Sequence, residues 1–290
     1  MSERNGAAAV QGLRCLVTGC SSGIGYATVK ALAAEGAQVI ATARQVEDLV
    51  SLDGPNVTRL ALDVTDRAAV DRVVAAAGRI DVLINNAGYG LEGAIEEIDD
   101  DELFDQYDVN VFGVWRLCRA VLPAMRERGD GTIVNVSSFG GQMPFPGIGA
   151  YRSSKFAVEG ISWTLHLEVA RFGIRVLDIQ PGLVDTDFGT RSLRRARGMS
   201  DDGPYAGMRA EIAPVYDRMS PPPGLSADDV AGAILEALRR PEGPMHVVVG
   251  DDAKRMIAAV TAGEEAFLDV LGSELGLEIA RPDGRPSDSA

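Results

Sequence analysis

Seven short apolar runs recur along the chain with longer stretches of helical period between them, and this alternation limits the fold more than any other feature. Leu13 to Thr18, Gln38 to Ala43, Val57 to Leu62, Ile80 to Ile84, Thr132 to Val136, Arg175 to Ile179 and Met245 to Val249 read as strands. Short, bounded runs rich in branched side chains are the pattern of parallel strands covered on both faces. Helical candidates lie at Gly25 to Glu35, Arg67 to Ala77, Asp101 to Arg128, Ser153 to Arg171 and Ala227 to Arg239. Repeated βαβ units with right-handed crossovers predict an α/β fold: a doubly wound parallel sheet of about seven strands with helices on both faces. At 290 residues and 46% hydrophobic composition, the chain can bury one large core.

The rhythm breaks over Asp187 to Gly224, which is rich in Arg, Met and Pro and ends in Pro221-Pro222-Pro223. A substrate-binding lid insertion over about 187–224 is expected there. The domain organisation read from these shifts is a flexible N-terminus over 1–11, one α/β domain over 12–252, and a C-terminal helical extension and tail over 253–290. The net charge of -14 repels phosphate backbones and anionic lipid, so neither nucleic acid nor a membrane is an expected partner. Cys15, Cys20 and Cys118 are odd in number and lack CxxC spacing, which suggests neither a disulfide framework nor a zinc site. No signal core and no run of about 18 apolar residues is found, and a soluble cytoplasmic protein is the expectation.

Thr18 to Gly25 forms a glycine-rich turn that follows a strand and opens a helix. There the backbone at Gly19, Gly23, Ile24 and Gly25 can approach a pyrophosphate while the helix N-terminus supplies amides and positive dipole. Ser21 and Ser22 can add hydroxyl contacts or cap the helix. A tight connection in which the glycines only permit unusual torsions is the plainer alternative. The second strand ends at Ala43-Arg44, where a carboxylate would accept ribose hydroxyls; no acid stands there. Arg44 can receive a 2′-phosphate, which favours NADP(H) over NAD(H), although Glu47 and Asp48 lie close by and a solvated surface arginine is the alternative. Asp63, followed by Val64, can accept from an adenine amino group or cap the helix beginning near Thr65.

Tyr151 and Lys155 are four residues apart, so on a helix they share a face. A neighbouring ammonium favours the phenolate and fits a tyrosine for acid–base work. With Thr18-Gly19-x-x-x-Gly23-x-Gly25, Asn85-Asn86-Ala87-Gly88, Asn110, Ser138, Tyr151-x-x-x-Lys155 and Pro181-Gly182 in this order, the chain resembles the short-chain dehydrogenase/reductase family over roughly residues 12 to 250. Val39 to Arg44 and Asn85 to Gly90 look most like its 17β-hydroxysteroid dehydrogenase-like branch.

The resemblance implies a Rossmann-type fold and an NADP(H)-dependent oxidoreductase that interconverts a carbonyl and a secondary alcohol. It assigns Tyr151 as proton donor or base and Lys155 as the charge that lowers its pKa and binds the nicotinamide ribose. Ser138 polarises the substrate oxygen; Ser137 is the weaker candidate. Asn110, by its side chain or a helix kink, resembles the residue that holds water in a proton relay; tying neighbouring strands together is the alternative. Asn86, Ala87 and Gly88 support the cofactor, and Pro181, Gly182, Val184 and Thr186 border the nicotinamide. The rival readings are a nucleotide-binding regulatory or scaffold protein without turnover and an NAD(H)-preferring alcohol dehydrogenase.

His166 and His246 form no recognisable triad or metal site, and no metal is expected. Met143, Phe145, Phe188, Met199, Tyr205 and Met208 are expected as apolar walls for a small apolar carbonyl or alcohol substrate, with packing of the lid against its own domain as the alternative. Arg191, Arg194, Arg195 and Arg197 read as a solvated helix, with the sharper alternative that they receive an anionic handle on the substrate. The helices over Asp101 to Arg128 and Ser153 to Arg171 resemble those of the family's four-helix interface, implying a homodimer or homotetramer. Trp115, Phe156 and Trp163 fit either that interface or the core.

Overall fold

The computed structural model describes residues 10–186, 192–219, 224–240 and 242–277. In chain order the first half comprises β1 (Arg14–Val17), α1 (Gly23–Ala34), β2 (Gln38–Ala43), β3 (Val57–Ala61), α2 (Arg67–Ala77), β4 (Val82–Asn85), β5 (Gly90–Glu92), α3 (Asp100–Tyr107), α4 (Gly113–Arg128) and β6 (Gly131–Val136). The second half comprises α5 (Gly149–Val169), β7 (Ile174–Pro181), β8 (Val184–Asp185), β9 (Leu193–Arg195), α6 (Ala206–Met219), β10 (Leu225–Ser226), α7 (Ala227–Arg239), β11 (His246–Val249), α8 (Asp251–Ala262) and α9 (Glu264–Asp269).

Seven parallel strands form one sheet in the order β11-β7-β6-β4-β1-β2-β3. The seven apolar runs of the sequence are these seven strands. Their side chains alternate between two layers, which is why the runs are apolar throughout. Cys15 and Val17 of β1 join the layer under α1 and α7, while Leu16 between them joins the layer under α2, α4 and α5. The order reverses at β1, which pairs with β2 on one side and β4 on the other, and the crevice of a doubly wound sheet opens at such a switch point.

Local chemistry sets several boundaries. Asp66 accepts from Ala68 N at 2.8 Å and starts α2, and Gly78 at φ +65° ends it. Ser226 and Asp229 bond each other's backbone amides at the start of α7. The long helix expected over Asp101 to Arg128 is interrupted by one widened π turn, Asp108–Phe112, between α3 and α4. Helix α5 starts at Gly149, four residues earlier than expected, so Tyr151 and Lys155 both lie within it.

The third apolar cluster could not be read from periodicity. Helices α6, α8 and α9 pack against the loop after β6 and enclose Met143, Phe145, Ile212, Val215 and Met256. Among the described residues no helix is long and apolar enough to cross a membrane.

Candidate active site

The C-terminal ends of the strands border one cavity of about 550 Å3, running from the turn after β1 to the start of α5. At the nucleotide end, Gly19 has φ +69° and Gly23 φ +58°, conformations that favour glycine. A Cβ on Gly19 would stand 2.8 Å from Ala87 Cα, so the turn lies directly on the chain leaving β4. Asn86 ties the two together, donating to Thr18 O at 2.9 Å and Gly19 O at 3.0 Å. Gly25 does not line the cavity: a Cβ on it would stand 2.3 Å from Gly19 O, so only glycine lets α1 pack this closely on the turn. Ser21, Ser22, Gly23 and Ile24 do line it. Ser22 occupies the N-cap position of α1 without a side-chain capping bond, and the first turn carries no acid. Exposed amides, free of a competing carboxylate, and a cradle that a Cβ would fill suit a pyrophosphate.

Ala43, Arg44, Asp63 and Val64 border the same end. Arg44 is exposed beside Asp48. Asp63 Oδ1 is held by Thr65 N at 2.9 Å and Thr65 Oγ1 at 2.7 Å; the cap of α2 is Asp66, not Asp63.

At the other end, Ser138 and Tyr151 face the cavity and hydrogen-bond each other. Ser138 Oγ also accepts from Gly140 N at 3.0 Å. Burial raises the Tyr151 phenol; the Arg152 guanidinium and the Ser138 hydroxyl pull it back down. Lys155 Nζ stands 5.7 Å from the Tyr151 ring centre and donates to Val136 O at 2.9 Å. Burial lowers the ammonium to about 8, with Asp178 and Glu159 opposing the shift. Arg152, next to Tyr151 in the chain and absent from the motif, thus adds a second cation beside the phenol to that of Lys155.

Asn110 is buried and does not border the cavity. The π turn brings its amide onto Tyr89, where Oδ1 accepts from Tyr89 N at 3.0 Å and Nδ2 donates to Tyr89 O at 2.9 Å and Ser154 Oγ at 3.1 Å. Its side chain joins the chain after β4 to α5 and is engaged in full. Gly88 packs against it, a Cβ there lying 3.1 Å from Asn110 Oδ1.

Ser137 belongs to a buried cluster behind the site. Its single hydroxyl contacts three acceptors: Glu159 Oε1 at 2.5 Å, Asp178 Oδ1, and Ile179 O at 3.2 Å. One hydroxyl proton cannot serve two ionised carboxylates, so one acid must itself carry a proton. Burial and Glu159 raise the Asp178 carboxyl well above its ordinary value, which agrees with that count. Glu159 Oε2 in turn receives Gln180 Nε2 at 2.8 Å and lies 3.1 Å from His246 Nε2.

The model of the short chain dehydrogenase family matches residues 14–196. The chain belongs to this family of oxidoreductases. A short-chain dehydrogenase from Streptomyces avermitilis is 39% identical, with a TM-score of 0.78 over 90% of this chain and 97% of that one. A short chain dehydrogenase from Burkholderia cenocepacia in complex with NADP is 28% identical, with a TM-score of 0.73 over 92% and 98%. The 3-ketoacyl-(acyl-carrier-protein) reductase from Brucella melitensis, complexed with NADH, is 26% identical with a TM-score of 0.71 over 83% and 96%.

In this short chain dehydrogenase Pro181, Gly182, Val184 and Thr186 border the cavity as the family pattern implies. What holds them there was missed: Asp252, in the first turn of α8, accepts from Leu183 N at 2.7 Å, and a Cβ on Gly182 would stand 2.1 Å from its Oδ1. The acidic pair after Gly250 reads in sequence only as a helix start. The expected apolar walls are corrected. Met143 and Phe145 are buried under α6 and α8, Met199 packs with Leu91 and Ala196, Tyr205 bonds Glu96, Met208 lies against the third cluster, and Phe188 falls outside the described residues. Tyr89, Phe139, Ile148, Leu193 and Tyr216 line the substrate end instead.

The arginine stretch is not a helix. Leu193–Arg195 pairs in parallel with Gly90–Glu92, Arg195 bonds Asp201 at 2.7 Å, and Arg197 bonds Asp99 at 3.0 Å. Arg191 lies outside the described residues. Arg194 borders the cavity, its guanidinium 4.1 Å from the Tyr89 ring centre. Arg152 also lines it, 5% exposed and 4.7 Å and 5.7 Å from the Phe139 and Phe145 ring centres. A cation–π contact supplies about 2 kcal/mol when desolvated, less than the several kcal/mol that an unpaired buried cation costs.

Proposed function

We propose that this short chain dehydrogenase interconverts a carbonyl and a secondary alcohol by hydride transfer, with NADP(H) as its redox partner and Tyr151 as acid and base. The observation that carries the reading is one continuous cavity that joins the acid-free glycine turn to the Ser138–Tyr151 pair. A nicotinamide supplies the hydride in reduction and accepts it in oxidation. Ser21 to Gly23, Arg44, Asn86 to Gly88 and Lys155 would hold the nucleotide, with Val184 and Thr186 beside its ring. In reduction Ser138 donates to the substrate oxygen and Tyr151 delivers a proton to it as the carbon takes the hydride; in oxidation Tyr151 takes that proton back. The π turn at Asn110, rather than its engaged amide, is where we place the proton-relay role.

Arg44 favours the 2′-phosphate. Asp48 beside it and the NADH-bound Brucella reductase favour the second reading, an NAD(H) enzyme. The segment from Ser192 to Met219, whose Leu193 and Tyr216 border the cavity, serves as the substrate lid in this proposal. Trp115 and Trp163, about half exposed, and Phe156, at 44%, lie on α4 and α5 and make a homo-oligomeric interface the natural partner of that face. Three unpaired, buried cysteines fit the reducing cytoplasm.

NADPH and NADH oxidation over a panel of ketones, aldehydes and quinones tests the reading. Tyr151→Phe should lower turnover by about 100- to 10,000-fold, and unchanged turnover in that variant removes the tyrosine from the mechanism. Arg44→Ala should weaken NADPH more than NADH; equal effects on both nucleotides support the NAD(H) reading.

A further inference from the structure

Arg152 is a buried cation without a counter-charge, at the point where the substrate must sit. Its Nε and Nη1 have no hydrogen-bond partner, and no described carboxylate pairs with it. The groups that act on its charge are the Tyr216 and Tyr151 hydroxyls, and burial raises both phenols, so they are neutral at neutral pH. The two phenylalanine rings beside it offset part of its desolvation but bring no counter-charge and no hydrogen bond to Nε or Nη1.

The acids that line the cavity are Asp48 and Asp63, both at the nucleotide end. The substrate end therefore presents two guanidiniums, Arg152 and Arg194, and no lining carboxylate, in a chain whose net charge is -14. Surface acids elsewhere do find arginines, as in the bonds of Arg195 to Asp201 and Arg197 to Asp99. Exclusion of acid from this one end of the cavity is what a site for an incoming anion requires.

We propose that Arg152 receives an anionic group on the substrate, so that the carbonyl compound is a keto acid and the alcohol the corresponding hydroxy acid. Phe139, Ile148, Leu193 and Tyr216 then enclose an apolar spacer between the anion and the reacting carbon. This rests on the carbonyl–alcohol reading above, and binding is measured apart from turnover so that the two can fail separately.

Calorimetry on the full chain saturated with nucleotide compares hexanoate with hexanamide, and turnover compares levulinate with its neutral methyl ester. Hexanoate should bind roughly 10- to 100-fold more tightly than the amide. The ratio should fall to about one in Arg152→Met or Arg152→Gln and survive in part in Arg152→Lys. Equal binding of hexanoate and hexanamide to the unmodified protein overturns the proposal whether or not the variants fold. A preference kept in Arg152→Met but lost in Arg194→Ala also overturns it, placing the anion on Arg194. Anion-selective binding that depends on Arg152, with neither ketone turned over, upholds the site and counts against the carbonyl reading instead.

Discussion

Tyr151 and Asp178 show how far a side chain's neighbours decide its chemistry. The phenol is raised by burial, and the groups that oppose this, Arg152 and Ser138, are one residue and thirteen residues away along the chain. Asp178 is a strand residue with nothing in its local sequence to mark it, yet it shares a hydroxyl with Glu159 in the core. Its raised value has a consequence for stability. The folded state keeps a proton that the unfolded chain releases above 3.8, so the contribution of this group is fully present below that pH and is lost as pH rises toward the folded value. Asp178→Asn should accordingly melt higher than the parent near neutral pH, and the gap should close on acidification. Melting curves from pH 3 to 8 check this on the pH scale of a carboxylate titration; a gap independent of pH would mean that Asp178 is ionised in the fold.

Among the elements, the one least expected to matter to the site is α8. Its Asp252 holds Leu183 N beside the turn that follows β7, and that turn borders the cavity at Gly182 and Val184. Removing the acceptor leaves a partly buried amide unpaired, at about 1–3 kcal/mol. Asp252→Ala should lower the melting temperature and weaken nucleotide binding together, while Asp252→Asn, which keeps an acceptor, should recover part of both. Fluorescence titration of NADPH with the two variants measures it, and unaltered affinity in Asp252→Ala would separate α8 from the nucleotide site. The π turn between α3 and α4 acts in the same way at the opposite wall. One extra residue in the turn rotates Asn110 onto Tyr89, and from there the amide reaches Ser154 of α5.

At the scale of the whole molecule, α3, the π turn, α4 and α5 carry Phe104, Phe112, Trp115, Phe156 and Trp163, each at least 42% exposed. Exposed aromatic rings on these neighbouring helices suit a partner surface. Trp115→Glu combined with Phe156→Glu should convert a dimer or tetramer to a smaller species in light scattering, with the fold retained by circular dichroism; an unmodified protein that is already monomeric would remove this face as an interface. The sequence by itself determined the seven strands, their parallel layering, the glycine turn and the order of Ser138, Tyr151 and Lys155, because periodicity and short motifs are local and survive without tertiary knowledge. Tertiary structure alone decided that Met143 and Phe145 are core, that Arg194 lies on a strand, that Asn110 bonds Tyr89, and that Asp252 and Arg152 stand at the site. Those outcomes depend on contacts between segments distant in sequence, whose burial and charge no local pattern encodes.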